Sequence, residues 1–348
     1  MRRISRITVA GAATASLALA LSACGSTSTS GSSDSKGNKG LAIAYDVGGK
    51  GDQSFNDAAY AGLERAQKEF GYETADVEPT EGETDADKEQ RLVSLAKQGY
   101  NPVIGVGYAY AAAVKGAAEK FPKTTFGIVD DATINSKNVA DLVFSEEQAS
   151  YLAGVAAAKS TKSNVVGFVG GVDIPLIHKF QAGFAQGVKD TNPKVKVLSQ
   201  YLTQTAEEGG FSSPDKGKTA AEGQIEKKAD VVYAAAGLSG QGVIEAAAAK
   251  KVWAIGVDSD QYKQEALAKY KDFILTSAMK DVAKAVYNLA KSVEDGKPET
   301  GIVRGDLKTG EVSLSDSNPK FADDAELQEA IKTAKEKIIS GEIKVKSS

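Results

Sequence analysis

From residue 41 onward, short apolar runs alternate with segments whose apolar residues recur every three to four positions. The runs fall at 41–45, 102–106, 125–129, 139–144, 165–169, 195–201, 230–234, 252–257 and 273–278. Their length and β-branched content predict strands, and the segments between them, such as 88–98, 109–120, 176–189, 216–228 and 241–250, predict helices. Runs such as VVGFVG and WAIGVD are almost continuously apolar, as expected of strands covered by helices on both sheet faces. Repeated strand–helix units of this length imply parallel sheets joined by right-handed crossovers.

The first unit sets the pattern. A strand at 41–45 leads into a polar, glycine-rich loop holding Asp46 and Asp52, and a helix follows with Phe55, Ala59, Leu63, Ala66 and Phe70 on one face. Ser54 is the expected N-cap of that helix, with Asp57 completing a capping-box-like pair. In doubly wound folds ligands bind at the carboxyl edge of the strands, beside such loops.

About nine parallel-type strands exceed one ordinary sheet, so two α/β domains are expected. The segment 146–160 is the expected crossover helix. The first lobe is assigned residues 41–145 plus about 279–315, and the second 146–278 plus about 316–348. A short hairpin is expected around 302–314, then a helix at 325–339 and a strand-like 343–345.

The N-terminus is an address rather than part of a fold. Arg2, Arg3 and Arg6 precede an apolar stretch at 9–21, then Leu21-Ser22-Ala23-Cys24. This is the pattern of a secretory signal over residues 1–23, too short for a comfortable membrane span. Leu-Ser-Ala-Cys resembles a bacterial lipobox, in which Cys24 would carry lipid and become the mature N-terminus. The Gly/Ser/Thr/Asn-rich stretch after it, ending at residue 40, is a flexible tether with a reach of about 20–25 Å. An exported chain anchored at the extracytoplasmic face of the cell membrane is expected.

The 348 residues carry 42 basic and 46 acidic side chains, a net charge of −4. Without the segment carrying Arg2, Arg3 and Arg6 the balance is 39 against 46, or −7. Such a chain lacks the basic patch that nucleic-acid binding requires. One cysteine and one histidine, Cys24 and His178, exclude internal disulfides and cysteine-based or multi-histidine metal sites. No cofactor is implied.

Candidate chemistry gathers at the strand ends. Asp46, Asp130, Asp131, Asp173, Gly237 and Asp258 each follow an apolar run, and Lys280 closes the last one. Parallel strands would bring them to one edge, where two facing domains line a cleft. Ionised carboxylates accept hydrogen bonds from hydroxyls and amides, and Asp258 suits a vicinal diol. Phe55 and Phe211 offer flat faces for a planar ring, each such stack being worth about 1–3 kcal/mol. Gly237 lets the backbone approach a ligand. Each has a plainer alternative: the aspartates as helix N-caps, Phe55 as core, Lys280 as a solvated helix-start lysine.

Taken together and in order, GGKGDQSFNDAAYAGL, FGIVDD, GGVDIPLIHKFQAGF, FSSPDKGK, AAAGLSGQGVIEAA, WAIGVDSDQ and LTSAMKD resemble the basic-membrane-protein family. These are lipoprotein substrate-binding components of ABC transporters, similar to purine nucleoside receptors. The resemblance implies the two-lobed periplasmic-binding-protein fold (type I), closing around a nucleoside, purine favoured. It implies that Phe55 and Phe211 stack the base and that Asp130 bonds the base edge. Asp258 and Lys280 would hold the ribose hydroxyls, with Asp46, Ser54, Asn56 and Gly237 lining the same site. It also implies partners: a permease with its ATPase, the membrane through the lipid anchor, and action as a monomer.

Catalytic readings fare worse. From Gly210 to Gly217-Lys218-Thr219 there are six intervening residues where a phosphate loop needs four. AGLSGQG is not a nucleophile elbow. His178, the sole imidazole, sits on a predicted helix, and a Ser-His-Asp site would have to use it. A sugar or polyol receptor, a secreted α/β hydrolase, and a lipoprotein acting in adhesion or signalling remain as alternatives to nucleoside capture.

Overall fold

A computed structural model of the chain describes residues 39–348. The expected signal sequence, Cys24 and nearly all of the tether lie outside the described residues. Twelve strands among the described residues form two six-stranded sheets. The first sheet contains β1 (Ala42–Ala44), β2 (Ala75–Val77), β3 (Val103–Gly105), β4 (Phe126–Val129), β5 (Val139–Phe144) and β11 (Gly301–Gly305). The second contains β6 (Val165–Val172), β7 (Lys196–Thr203), β8 (Val231–Ala235), β9 (Trp253–Asp258), β10 (Ile274–Lys280) and β12 (Val312–Leu314). The order is β2-β1-β3-β4-β5-β11 in one and β7-β6-β8-β9-β10-β12 in the other. The two halves thus share one doubly wound topology. In each the winding reverses beside the first strand, between β1 and β3 or between β6 and β8, which is where ligands of such folds bind.

All pairings are parallel except β10 with β12. The helices are α1 (Phe55–Phe70), α2 (Asp85–Lys97), α3 (Ala111–Lys120), α4 (Glu146–Ser160), α5 (Pro175–Thr191), α6 (Pro214–Glu226), α7 (Ser239–Lys250), α8 (Val282–Glu294), α9 (Pro319–Ala322) and α10 (Ala325–Ile339). Among the described residues no helix is long and apolar enough to cross a membrane.

Three chain segments pass between the sheets. They lie at Ser145, between β5 and α4; at Asp281, between β10 and α8; and from residue 306 to 311, between β11 and β12. Backbone bonds tie them together: Ser145 N–H donates to Gly305 O at 2.9 Å, and Asp281 N–H to Glu311 O at 2.7 Å. After the first crossing, α4 is buried on almost every side. An apolar surface all round marks a helix enclosed by neighbours rather than one edged by solvent. Gly183 and Gly187 of α5 let it approach α4 so closely that a Cβ at Gly187 would stand 2.0 Å from Tyr151 O.

Some sequence expectations change. The segment 302–314 is not a hairpin: β11 joins the edge of the first sheet and β12 the edge of the second. Residues 312–314 therefore belong with the second sheet, not the first lobe as expected. Two short strands do form there, but their partners, β5 and β10, lie far away in sequence. Residues 343–345 form no strand; that segment is held instead by Ile343 N–H to Lys337 O and by Lys346 N–H to the Gln186 side chain.

Candidate functional site

The loop between β1 and α1 is organised by two aspartates. The Asp52 carboxylate accepts the backbone N–H groups of Ser54, Asn56 and Asp57, at 2.9, 2.8 and 3.2 Å, and Asn56 Nδ2 at 3.1 Å. Asp57 accepts from the N–H groups of Gly51 and Gln53. Asp52 thus satisfies the free N–H groups at the start of α1. The expected capping by Ser54 does not occur, because Ser54 makes no side-chain cap bond. Its hydroxyl instead donates to Asp258 Oδ2 at 2.8 Å. Asn56 Oδ1 accepts from Asp46 N–H at 3.0 Å, which fixes Asp46 at the end of β1.

At the far ends of the sheets the chain turns sharply. Asp130 follows β4 with φ +68° and Asp258 ends β9 with φ +62°. The left-handed region is uncommon for residues other than glycine, and aspartate is among the few that tolerate it. Neither aspartate caps a helix. Lys280, the last residue of β10, is 3% exposed, so it is not the solvated lysine its place before a helix suggests. Its ammonium lies 2.6 Å from Asp130 Oδ2 and 3.7 Å from Asp258 Oδ1. The ring of Phe55 lies 4.6 Å away, with Phe144 and Phe180 a little farther. The ion pair of Asp130 with Lys280 joins the first sheet to the second.

These groups surround a cleft walled by both halves of the chain, the kind of concave site in which small molecules bind. Its walls come from both winding reversals: Asp46, Gly107 and Tyr108 from the first sheet, Leu176, Ile177 and Ala235 to Gly237 from the second. Phe55 and Asn56 from the start of α1, Phe180 from α5, Phe211, and the Asp130–Lys280–Asp258 cluster complete the lining. Of the nine expected site residues, eight line this cleft. Ser54 does not; fully buried behind the wall, it braces Asp258. Asp52 touches the cleft, but its bonds are spent on the loop. His178 pairs with Asp173 at 2.6 Å and is not among the lining residues. Phe180 and Tyr108 escaped sequence reading. Phe180 follows Ile177 at helical spacing and reads as ordinary core, and Tyr108 lies in a short apolar turn.

The electrostatics favour neutral ligands with donors. Burial works against the Lys280 charge, but Asp130, Asp258 and Glu146 outweigh it and hold the ammonium above its ordinary value. Burial raises Asp258 despite Lys280 and Ser54. Burial also pushes Asp46 up to about 7, against the Val47 N–H and Lys88. Glu146, at the first crossing, is pushed to about 7 by burial and by Asp130, with Lys280 and Lys179 opposing. One oxygen each of Asp130 and Asp258 makes no hydrogen bond among the described residues. A buried carboxylate oxygen without a donor is costly, and both border the cleft.

The Asp46 shift has a consequence for stability. A carboxyl near 3.8 unfolded and about 7 folded adds stability that is fully present below the unfolded value and lost as pH rises through the folded one. The ligand-free chain should therefore gain stability from pH 8 to 5.5. Asp46→Asn should shrink that gain by about 1–2 kcal/mol, measured by urea unfolding at the two pH values. An unchanged gain would refute the burial argument.

Two sheets of the same winding, with polar groups from both converging on a buried cleft, define a solute-binding protein of the periplasmic-binding-protein type. The comparisons agree. A crystal structure of an ABC transporter solute-binding protein from Aeropyrum pernix K1 superposes with a TM-score of 0.76 at 29% identity, over 88% of this chain and 93% of that one. The ABC transporter nucleoside-binding protein BmpA of Lactococcus lactis subsp. cremoris (strain MG1363) is 37% identical over 323 residues, 88% of each chain. A lipoprotein of Pyrococcus abyssi (strain GE5 / Orsay) is 34% identical over 294 residues, 79% of this chain and 69% of that one. Residues 40–348 match the family model described as ABC transporter substrate-binding protein, PnrA-like. The chain belongs to this family, Bmp, and is an ABC transporter substrate-binding protein; a ligand and a permease partner follow from that role.

Proposed function

We propose that this chain captures a nucleoside, purine favoured, between its two lobes and hands it to the permease and ATPase of an ABC transporter. The lobes are residues 41–145 with the returning segment that holds α8 and β11, and the remainder from 146. The observation that carries the reading is the composition of the cleft. Phe55 and Phe211 come from opposite halves of the chain, and the Asp130–Lys280–Asp258 cluster leaves buried carboxylate oxygens for hydroxyls and N–H groups. In this reading the base stacks on Phe55 and Phe211, Asp130 accepts from its edge, and Asp258 and Lys280 hold the ribose. Asp46, Asn56 and Gly237 complete the wall. The wealth of carboxylates disfavours phosphorylated ligands. The Lactococcus lactis relative, named as a nucleoside-binding protein, supports the reading.

The same proposal places the protein at the extracytoplasmic face of the cell membrane, anchored through lipid on Cys24 and working as a monomer. The LSAC motif and the lipoprotein relative support the anchor.

A thermal-shift and calorimetry panel of adenosine, guanosine, inosine, cytidine, uridine, free bases, ribose and galactose tests the ligand. Purine nucleosides should raise the melting temperature strongly, since stabilisation grows with ligand excess over Kd, while free bases and ribose should act far less. Ribose or galactose acting without any nucleoside response would overturn it. Palmitate labelling that survives Cys24→Ser would overturn the anchor.

A further inference from the structure

The loop that begins the site also meets the opposite lobe directly. Residues 51–54 are held to their own lobe by Asp52 and Asp57, through bonds to the backbone N–H groups. That leaves the loop's carbonyls facing outward, helped by a left-handed turn at Gln53, φ +56°. Three of them accept bonds from second-lobe side chains. Gln241 Nε2 donates to Gly51 O at 3.1 Å, Gln261 Nε2 to Gln53 O at 3.1 Å, and Ser259 Oγ to Ser54 O at 2.7 Å.

None of these three side chains lines the cleft. Gln261 is nevertheless 1% exposed and set in place by its neighbours. Its Oε1 accepts from Val257 N–H and its own N–H donates to Ser277 Oγ. Ser259 directly follows Asp258 and Gln261 lies three residues beyond it, so the segment that presents the carboxylate to the cleft also grips the other lobe.

We infer that Gln241, Ser259 and Gln261 form a latch on the carbonyls of residues 51–54 and act as positioning residues that set how far the cleft stays closed. The latch makes no ligand contact, so its energy enters the closed state alike for every ligand. Opening breaks all three bonds while leaving the Asp52 scaffold intact, because Asp52 and Asp57 bond only within their own lobe. A contribution specific to the closed form raises apparent affinity by enlarging the binding-competent fraction. It slows release more than it speeds capture, since the ligand enters the open form.

The test is the Ser259→Ala, Gln241→Ala double variant, which spares the buried Gln261. Small-angle scattering of the ligand-free full chain reads closure without any ligand, and so is independent of the nucleoside reading. The variant should show a larger radius of gyration than the parent chain, at the same melting temperature within a degree or two. Stopped-flow binding of adenosine and of guanosine should show an affinity loss of about five- to thirty-fold, equal for the two ligands and carried by faster release. An unchanged radius, or a loss that differs between the two nucleosides, would overturn the latch. A larger radius with no nucleoside binding in either protein would uphold the latch and defeat the nucleoside assignment. Gln261→Ala should repeat the ligand-free expansion, and Gln261→Glu, which keeps the acceptor for Val257 N–H but loses the donor to Gln53 O, should do the same.

Discussion

Lys280→Met should abolish ligand capture and destabilise the chain at neutral pH, with part of the lost stability returning on acidification. The Lys280 ammonium is almost fully buried, 2.6 Å from Asp130 and 3.7 Å from Asp258. It also offsets the buried Glu146. Methionine keeps the stem and its contacts with Phe55, Phe144 and Phe180 but removes the charge. Removing one partner of a buried ion pair costs about 3–5 kcal/mol, because the partner left behind is buried and uncompensated. Asp258 and Glu146, already raised by burial, lose the opposing charge of Lys280 and bind protons more readily, so their folded pKa values rise further. A raised folded carboxyl adds stability that is present at low pH and lost as pH rises through the folded value. The stability gap between the variant and the parent chain should accordingly narrow from pH 8 to pH 5.5 in urea unfolding. Calorimetry should find affinity for the preferred nucleoside down by at least a hundredfold. A gap that does not change with pH, or binding retained within tenfold, would sink the account of the cluster.

Phe211→Ala should weaken nucleoside binding by about ten- to a hundredfold, the worth of one base–aromatic stack, while leaving stability nearly unchanged. Phe211 is only half-buried and precedes α6 in a polar loop, so little core is lost. Its ring rests on backbone: a Cβ at Gly171 would stand 2.4 Å from its Cδ1. The ring is thereby set against the end of β6 and lines the same cleft as Phe55. Phe211→Tyr should bind almost as the parent does, whereas Phe211→Leu should recover only the apolar part. The loss should appear for nucleosides and not for weakly bound ribose. Equal losses for both would mean that Phe211 shapes the cleft without stacking a base.

The strand–helix alternation was legible because helical and strand periodicities differ and each unit is local. Strand ends followed from the same pattern, so Asp46, Asp130, Asp258 and Lys280 could be picked out as candidates for one edge. Roles were harder to read. Ser54 looked like a helix cap, but its hydroxyl reaches a residue 204 positions away, and Asp52 caps in its place. Both choices satisfy local chemistry, and only the approach of the second lobe separates them. The 302–314 segment misled for the same reason: two neighbouring strands usually pair, but here each completes a different sheet.

The chain's own pattern, then, determined two parallel α/β halves, an acidic strand edge and the absence of multi-cysteine or multi-histidine chemistry, since each depends on residue type and near-neighbour spacing. Tertiary structure decided which groups share a cleft and which only support it. It put Lys280 between two aspartates from different sheets, Phe180 and Tyr108 on the wall, and the carbonyls of residues 51–54 against Gln241, Ser259 and Gln261. Those outcomes rest on where three crossings set one sheet against the other, and contacts of that kind join residues up to about two hundred positions apart, beyond the reach of any periodicity.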